Sequence, residues 1–247
     1  MENFSYHRPA KAADAVKAMK KAKDGKYMSG GMTLLPTIKQ GLATPTDVID
    51  LSGLKSSGVA VSAKAVTVKA GTTHAEVATD KAARKAIPAL AALAYGIGDP
   101  AADYPAAALG LGATIHTSER KLAADKFFTG MFSTALKSNE IVTAVEFPIP
   151  AKAGYAKFPN PASRYAMVGV FVAKMKDGSV RVAVTGAGPG VFRIAEMEAA
   201  LAKDFSAKAI SGISAKAKGL NSDMHASAEY RAHLIGVMAR RAVEAAK

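Results

Sequence analysis

The order in which helix-like and strand-like segments follow one another restricts the fold of this chain most strongly. An amphipathic segment at 11–24 predicts a helix, and the short apolar runs that follow, bounded by turn residues, predict strands with helices between them. Two further strands, 166–175 and 179–185, flank a Lys-Asp-Gly turn, and a long helix is predicted at 226–246. Strands that are followed by helices in this order indicate an α+β fold rather than a doubly wound parallel sheet.

The composition is that of a globular protein with an apolar core. Of the 247 residues, 49% are hydrophobic and 21% are charged, and the mean hydropathy is +0.09, which excludes wholesale disorder. No apolar run reaches the roughly 18 residues of a membrane span, and the N-terminus lacks the apolar region of a secretory signal. We therefore expect a cytoplasmic protein. Because the chain has no cysteine, it cannot itself hold a disulfide, a thiolate zinc site or an iron–sulfur cluster.

The chain is strongly basic, with a formal net charge of +13 and a pI near 9.8. A basic surface suits an acidic or phosphate-bearing partner, but lysines at helical spacing are more typical of a solvated helix face. No stretch interleaves arginines with aromatic residues, so we expect no nucleic-acid partner. Much of the excess lies at helical spacing in Lys11, Lys17, Lys20, Lys21 and Lys23.

Residues Ser29–Thr33 form the strongest candidate binding motif. Gly30 and Gly31 stand between a predicted strand at 26–28 and a predicted short helix that ends near Gly41. Glycines at such a turn let the backbone approach a ligand closely, and amides at a helix N-terminus can donate to a phosphate. Paired glycines are also common in ordinary connections, so this turn alone leaves both interpretations open.

Local signals also predict helix starts and a domain boundary. Thr72 or Thr73 is placed to cap a helix, with Glu76 completing a capping box. The apolar, Ala-rich run at 86–96 is predicted to be helical after Pro88, and Asp103 is predicted to cap another helix. The run at 151–163, rich in Pro, Gly and Ala, is the best candidate for a boundary between domains.

The remaining motifs favour structural roles. Gly186–Gly190 follows a predicted strand but lacks the G-x-G-x-x-G spacing of a dinucleotide turn. The sequence has no P-loop, no G-x-S-x-G elbow and no H-E-x-x-H motif, so we predict no catalytic residue and no metal ligand in this chain. The scattered histidines are predicted to lie at helix ends or on the surface: His74, His116, His225 and His233.

Nine short motifs are distributed along nearly the whole length of the chain. They are FSYHRP at 4–9, SGGMTLLPTIKQGL at 29–42, VIDL at 48–51, AGTTH at 70–74, DPAADYP at 99–105, FFTG at 127–130, NEIV at 139–142, TGAGPGVFR at 185–193 and HASAEYRAHL at 225–234. Each motif is soft alone, but in this collinear order they resemble the FAD-binding medium subunits of molybdenum hydroxylases. That family includes the flavoprotein of aerobic carbon monoxide dehydrogenase and the FAD domain of xanthine dehydrogenase. The carbon monoxide dehydrogenase-like branch resembles this chain most, through FPNPASRYAMVGV at 158–170 and the last of the nine motifs.

The resemblance implies a particular fold and role. The fold is a PCMH-type (vanillyl-alcohol-oxidase-like) FAD-binding domain at 1–150, with α+β subdomains at about 1–56 and 57–150, followed by a small α+β C-terminal domain at 151–247. The role is that of an oxidoreductase subunit in a dimer of heterotrimers. Its FAD receives electrons from the 2Fe–2S clusters of a small subunit and passes them to an external acceptor, while a large molybdenum-cofactor subunit oxidises the substrate. The flavin then carries the chemistry and the protein positions it.

The resemblance also implies which residues contact FAD. Ser29, Gly30, Gly31, Met32 and Thr33 match the first pyrophosphate-binding turn, in agreement with the interpretation from the residues alone. Other positions match less closely. Core packing remains the alternative for Val142 and Tyr165, and a surface location remains the alternative for Lys157. Asp103 matches an acidic position that contacts the flavin nucleotide, Val142 and Lys157 match positions near the isoalloxazine, and Tyr165 matches an aromatic residue beside the ring.

One feature of the family is missing. Its members carry a second glycine turn, of the type Thr-Ile/Leu-Gly-Gly-Asn/Ser, shortly before the segment that matches Asp99–Asp103. Here Tyr95–Pro100 runs directly into Ala101. Either the protein has lost half of its pyrophosphate-binding site, or the sequence omits residues that the natural protein contains. The alternative to an FAD-bearing subunit is a flavin-free structural or assembly subunit of the same complex.

Overall fold

Three β-sheets of three or more strands, together with one two-stranded hairpin, are present in the computed structural model, which describes residues 3–97, 103–131 and 133–247. The first sheet is parallel, with strand order β1-β3-β2. Parallel neighbours need a crossover connection, and two helices supply them. The elements are β1 (Ser5–His7), α1 (Ala12–Lys21), β2 (Gly25–Met28), α2 (Leu34–Lys39) and β3 (Asp47–Asp50).

The second sheet is antiparallel and has the order β4-β5-β10-β6-β7. Among the residues described between β5 and β6, four short helices pack their alanine and leucine side chains against this sheet. The strands are β4 (Val59–Val61), β5 (Ala65–Lys69), β6 (Thr114–Thr117), β7 (Lys121–Ala123) and β10 (Val142–Pro148). The helices are α3 (His74–Thr79), α4 (Lys81–Ala86), α5 (Pro88–Tyr95) and α6 (Tyr104–Gly110), and a separate hairpin consists of β8 (Phe128–Gly130) and β9 (Ser133–Thr134).

The third sheet is antiparallel, with the order β11-β12-β13-β14. Its strand β12 is buried on both faces, because Phe171 and Ala173 pack toward the core around α5 and α6 whereas Val170 and Val172 pack toward α8. A strand with two buried faces reads as a continuous apolar run. The elements are β11 (Lys152–Pro159), β12 (Ala166–Lys174), β13 (Val180–Thr185), β14 (Phe192–Arg193), α7 (Ala195–Lys203) and α8 (Ala228–Glu244).

Ion pairs fix the third sheet to the second. Arg181 on β13 donates from Nη2 to both carboxylate oxygens of Asp125, each at 2.7 Å, and from Nε to the carbonyl oxygen of Leu109 at the end of α6. Arg193 lies 3.3 Å from the same aspartate and pairs with Glu198 on α7. A carboxylate shared by two guanidinium groups holds both units in one arrangement.

Several sequence predictions are confirmed by these elements. Thr73 caps α3 and forms the capping box with Glu76, the helix after residue 87 begins at Pro88, and Gly178 takes a φ of +86° in the turn between β12 and β13. The predicted α+β class is confirmed as well. Most of the run at 151–163, predicted as a boundary, forms strand β11.

The prediction that Asp103 caps a helix is wrong. Asp103 stands at the N-cap position of α6, but its side chain makes no capping hydrogen bond and its backbone is already helical. The carboxylate instead points toward two polar side chains of β11. A buried carboxylate is stabilised more by a cation and a hydroxyl donor than by a single backbone amide, so the long-range partners compete successfully with the cap.

No helix in the described ranges is long and apolar enough to cross a membrane.

Candidate functional site

A cavity of about 790 Å³ lies between the first and second sheets, a size within the range of small-molecule and cofactor sites. It opens at the carboxyl ends of the parallel strands β2 and β3, where ligands commonly bind in open parallel sheets. Its inner wall is apolar and includes Val68, Ala108, Ile115, Phe127 and Phe147, which also belong to the protein core. Its polar lining residues lie mainly on the loops: Tyr27, Ser29, Gly30, Ser52, Lys55, Ser56, Ser57, Lys69, Thr72, His74, Tyr104 and Glu140.

The glycine turn after β2 forms one edge of the cavity. Ser29 and Gly30 line it, and Gly30 and Gly31 both have a φ of +76°, a conformation that favours glycine. The amides of Gly30, Gly31 and Met32 donate to no acceptor among the residues that the structure describes. Successive free amides in a turn form a concave site for an anion.

The two glycines of the turn are constrained differently. A Cβ on Gly31 would lie 2.8 Å from Cδ1 of Leu35, so α2 leaves no room for a side chain at this position. A Cβ on Gly30 would meet nothing within 4 Å. Gly30 therefore faces open space at the cavity edge, where a ligand can approach the backbone.

Charges around the cavity favour an anionic ligand. Lys55 and Lys69 are exposed at its rim. The one acidic lining residue in the described ranges, Glu140, already accepts hydrogen bonds from Arg120 at 2.9 and 3.0 Å and from the Thr117 hydroxyl at 2.6 Å. The Arg120 guanidinium, together with these other donors, lowers the pKa of Glu140 to about 2. The pair is neutral overall, so the rim keeps a positive character.

Two tyrosines supply uncharged polar groups. Burial raises the pKa of Tyr27 to about 12, and its hydroxyl donates to the carbonyl oxygen of Asn139 at 3.1 Å. Burial also raises the pKa of Tyr104. Both phenols stay protonated at physiological pH and add no negative charge to the cavity.

A buried polar cluster lies outside the lining of the cavity. The carboxylate of Asp103 is fully buried, accepts a hydrogen bond from the Tyr155 hydroxyl, and lies 3.0 Å from Nζ of Lys157. Burial raises the pKa of Asp103, and the hydrogen bonds from Tyr155 and Lys157 oppose that rise. Lys157 also donates to the carbonyl oxygen of Arg164 at 3.0 Å. The cluster joins α6 to β11 across the boundary between the second and third sheets.

The structure brings only part of the predicted site together. Ser29, Gly30 and Val142 line the cavity, whereas Gly31, Met32 and Thr33 continue the turn outside the lining. Tyr165 lies in the connection between β11 and β12 of the third sheet, with its ring centroid 6.4 Å from that of His225. Asp103 and Lys157 pair with each other instead of lining the cavity. The predicted interruption at Asp99–Ala101 lies outside the described residues.

Sequence reasoning missed most of the polar lining residues, among them Tyr27, His74 and Tyr104. His74 was predicted at a helix end and is indeed the first residue of α3, but it lines the cavity, with its ring centroid 5.2 Å from that of Tyr104. The capping box fixed where α3 begins, yet nothing local indicates what its first side chain faces.

Comparison with known sequence families assigns this chain to a class. The chain matches the FAD binding domain in molybdopterin dehydrogenase over residues 2–101 and 96–150. It matches the CO dehydrogenase flavoprotein C-terminal domain over residues 153–246. The protein therefore belongs to the family of FAD-binding medium subunits of molybdenum hydroxylases, which are the flavoprotein components of oxidoreductase complexes.

Individual relatives match over almost their entire length. The chain is 32% identical to the carbon monoxide dehydrogenase medium chain of Afipia carboxidovorans, with 99% of this chain and 97% of that one aligned. It is 30% identical to the nicotine 6-hydroxylase medium subunit of Paenarthrobacter nicotinovorans, covering 96% and 95%. A solved structure of cyanide-inactivated Cu,Mo-CO dehydrogenase superposes with a TM-score of 0.83 at 28% identity, covering 98% of this chain and 96% of that one.

The same comparisons bear on the missing glycine turn. The two alignments extend over 291 and 269 residues, so each relative contains residues that this 247-residue chain lacks. The match to the FAD-binding family is split into two parts that overlap at 96–101. This break coincides with the position at which the sequence predicts the missing turn.

Proposed function

We propose that this chain is the FAD-bearing electron-transfer subunit of a heterotrimeric molybdenum hydroxylase of the carbon monoxide dehydrogenase-like type. It receives electrons from 2Fe–2S clusters on a small partner subunit and passes them to an external acceptor. The observation that carries the proposal is the cavity between the first two sheets, where free backbone amides at Gly30–Met32 border an apolar interior. Such a cavity combines an anion site with space for an aromatic ring system.

The residues present fit a flavin nucleotide. The amides of the Ser29–Thr33 turn would donate to pyrophosphate oxygens, with Lys55 and Lys69 at the rim adding favourable charge. The apolar wall, including Val142, would exclude water from the rings. Tyr27 would offer a neutral hydroxyl group. Bound FAD would supply the capacity to accept and release electrons, while the chain binds and orients it.

The partner subunits follow from the family resemblance, which implies a small iron–sulfur subunit that holds the 2Fe–2S clusters and a large subunit that holds the molybdenum cofactor. A chain without cysteine, which cannot itself ligate 2Fe–2S clusters, is consistent with this division. We propose a dimer of such heterotrimers, located in the cytoplasm. Carbon monoxide dehydrogenase and nicotine 6-hydroxylase, the proteins whose medium subunits are similar, suggest a small-molecule hydroxylation or oxidation on the large subunit.

A second candidate function rests on the split match at 96–101. A subunit that lacks the second glycine turn could keep the fold and the contacts with its partners while no longer holding a flavin. It would then serve as a structural or assembly subunit of the same complex.

Cofactor analysis of the co-purified complex separates the two functions. The proposed function predicts flavin absorbance, with FAD released on denaturation, together with molybdenum and iron from the partner subunits. A complex that contains molybdenum and iron but no flavin, and binds none when FAD is added, would support the structural subunit. Purification as a stable monomer without partners would contradict both.

A further inference from the structure

His74 is the only histidine among the described residues that line the cavity. It is the first residue of α3, its ring lies against that of Tyr104, and it is only partly exposed. The capping box of Thr73 and Glu76 fixes the start of the helix, so the imidazole is held at the cavity wall by both its backbone and its neighbouring ring.

The charged groups around His74 come from several elements. Asp103, behind the wall, is the group that interacts with it electrostatically, and this carboxylate is paired with Lys157. α5, which packs on α3, carries no charged side chain between Pro88 and Tyr95, and the basic residues of α4 are exposed. Lys55, Lys69 and the paired Glu140 are the charged residues of the described cavity lining.

We propose that His74 couples binding in this cavity to protons: it takes up a proton when the anionic flavin nucleotide enters. This inference rests on the proposed function. Among the described residues, the carboxylate that acts on His74 does not fully compensate a charged imidazole, because Asp103 is already paired with Lys157. A pyrophosphate held at the glycine turn, which lines the same cavity as His74, would bring negative charge into a low-dielectric space, where opposite charges attract more strongly than in water.

The protonation state of the free site agrees with this geometry. Burial lowers the pKa of His74, and Asp103 opposes the effect, so the ring of the free protein is neutral at physiological pH. Binding of an anion would raise that pKa. A group whose pKa is higher in the bound state favours binding at low pH, and the advantage is lost as the pH rises through the bound-state pKa.

The test is a set of titrations of the full chain with FAD at pH values from about 5 to 8, the range in which histidine titrates. Binding is measured by the change in flavin fluorescence. In the wild type the affinity should fall as the pH rises, by up to about tenfold per pH unit. His74→Gln should remove this dependence and bind with the weaker affinity of the wild type at high pH. The matched control is His233→Gln, an exposed histidine on α8 outside the cavity, which should behave as the wild type.

Calorimetry gives a second measurement that needs no variant. FAD binding near neutral pH, measured in two buffers of different ionisation enthalpy, should show proton uptake in the wild type. A wild type that binds FAD without proton uptake, or a pH dependence that His74→Gln retains, would overturn the role of His74 and leave the proposed function standing. If the wild type binds no FAD at any pH, the role of His74 and the FAD-bearing function both fail.

Discussion

At the scale of single residues, Gly30 carries the clearest functional expectation. Its φ of +76° and the open space beside its Cα indicate that Gly30 serves ligand binding rather than the packing of the protein. Gly31 has the same φ but is closed against Leu35, so a substitution there would disturb α2 as well. Gly30 is therefore the position where binding and folding can be separated.

Gly30→Val should weaken FAD binding by about 1–3 kcal/mol, because a branched side chain disfavours positive φ and leaves phosphate oxygens without their donors. Gly41→Val is a matched control, since Gly41 has a φ of +73°, is equally open, and does not line the cavity. Both variants should lose similar thermal stability, but only Gly30→Val should lose FAD affinity in a fluorescence titration. Equal affinity in the two variants would remove the turn from the binding site.

Glu140 should make stability depend on pH in the acid range. Its pKa is held at about 2 instead of 4.5, chiefly by the Arg120 guanidinium. Since the folded-state pKa is depressed, the stabilisation is complete above the unfolded value and is lost as the pH falls through about 2. Glu140→Gln should therefore be less stable than the wild type at neutral pH, and the difference should shrink on acidification.

Urea unfolding of both proteins at a series of pH values measures this difference. Glu244→Gln, at an exposed glutamate on the last turn of α8, is the control, and its difference from the wild type should stay small throughout. A constant difference between the wild type and Glu140→Gln down to about pH 2 would contradict the assignment.

At the scale of elements, the buried Asp103–Lys157 pair joins α6 to β11. Lys157→Met should destabilise the protein by about 3–5 kcal/mol, because it leaves a buried carboxylate without its cation. The double variant Asp103→Asn with Lys157→Met removes both charges and should recover a large part of that loss. Denaturant unfolding of the two single variants and the double variant measures the coupling. Losses that simply add would show that the two side chains do not interact energetically.

At the scale of the whole molecule, the missing interval near residues 96–101 should lower FAD affinity. The resemblance implies two glycine turns that share the charges of the pyrophosphate, and hydrogen bonds to charged groups contribute about 1.5–3 kcal/mol each. Losing two of them corresponds to about a thousandfold in affinity. We therefore expect weak binding by this chain.

Insertion of the corresponding segment of a medium-subunit relative at 96–101 should restore tight FAD binding, as measured by fluorescence titration against the unmodified chain. The same insertion combined with Gly30→Val is the control, because it keeps the added turn and impairs the first one. If the unmodified chain binds FAD as tightly as the chain with the insertion, the second turn contributes little to this site.

The sequence by itself determined the backbone at several places. The capping box at Thr73, the helix start at Pro88, the hairpin at Gly178 and the positive φ at Gly30 were all predictable. Each depends on the conformational preferences of a residue and its immediate neighbours in the sequence, so no contact with a distant part of the chain is needed to predict it. The order of the motifs likewise identified the family, because it reflects the succession of elements rather than any one contact.

Only the tertiary structure decided which side chains meet. Asp103 has a capping pattern, but Tyr155 and Lys157, more than fifty residues further on, take its carboxylate. The sequence predicts His74 at a helix end, but the contact of its ring with Tyr104 at the start of α6 places it in the wall of the cavity. The physical reason is the same in both cases. Local preference fixes the backbone of a segment, whereas the partners of a polar side chain depend on how separate elements pack, where burial makes an unpaired charge costly.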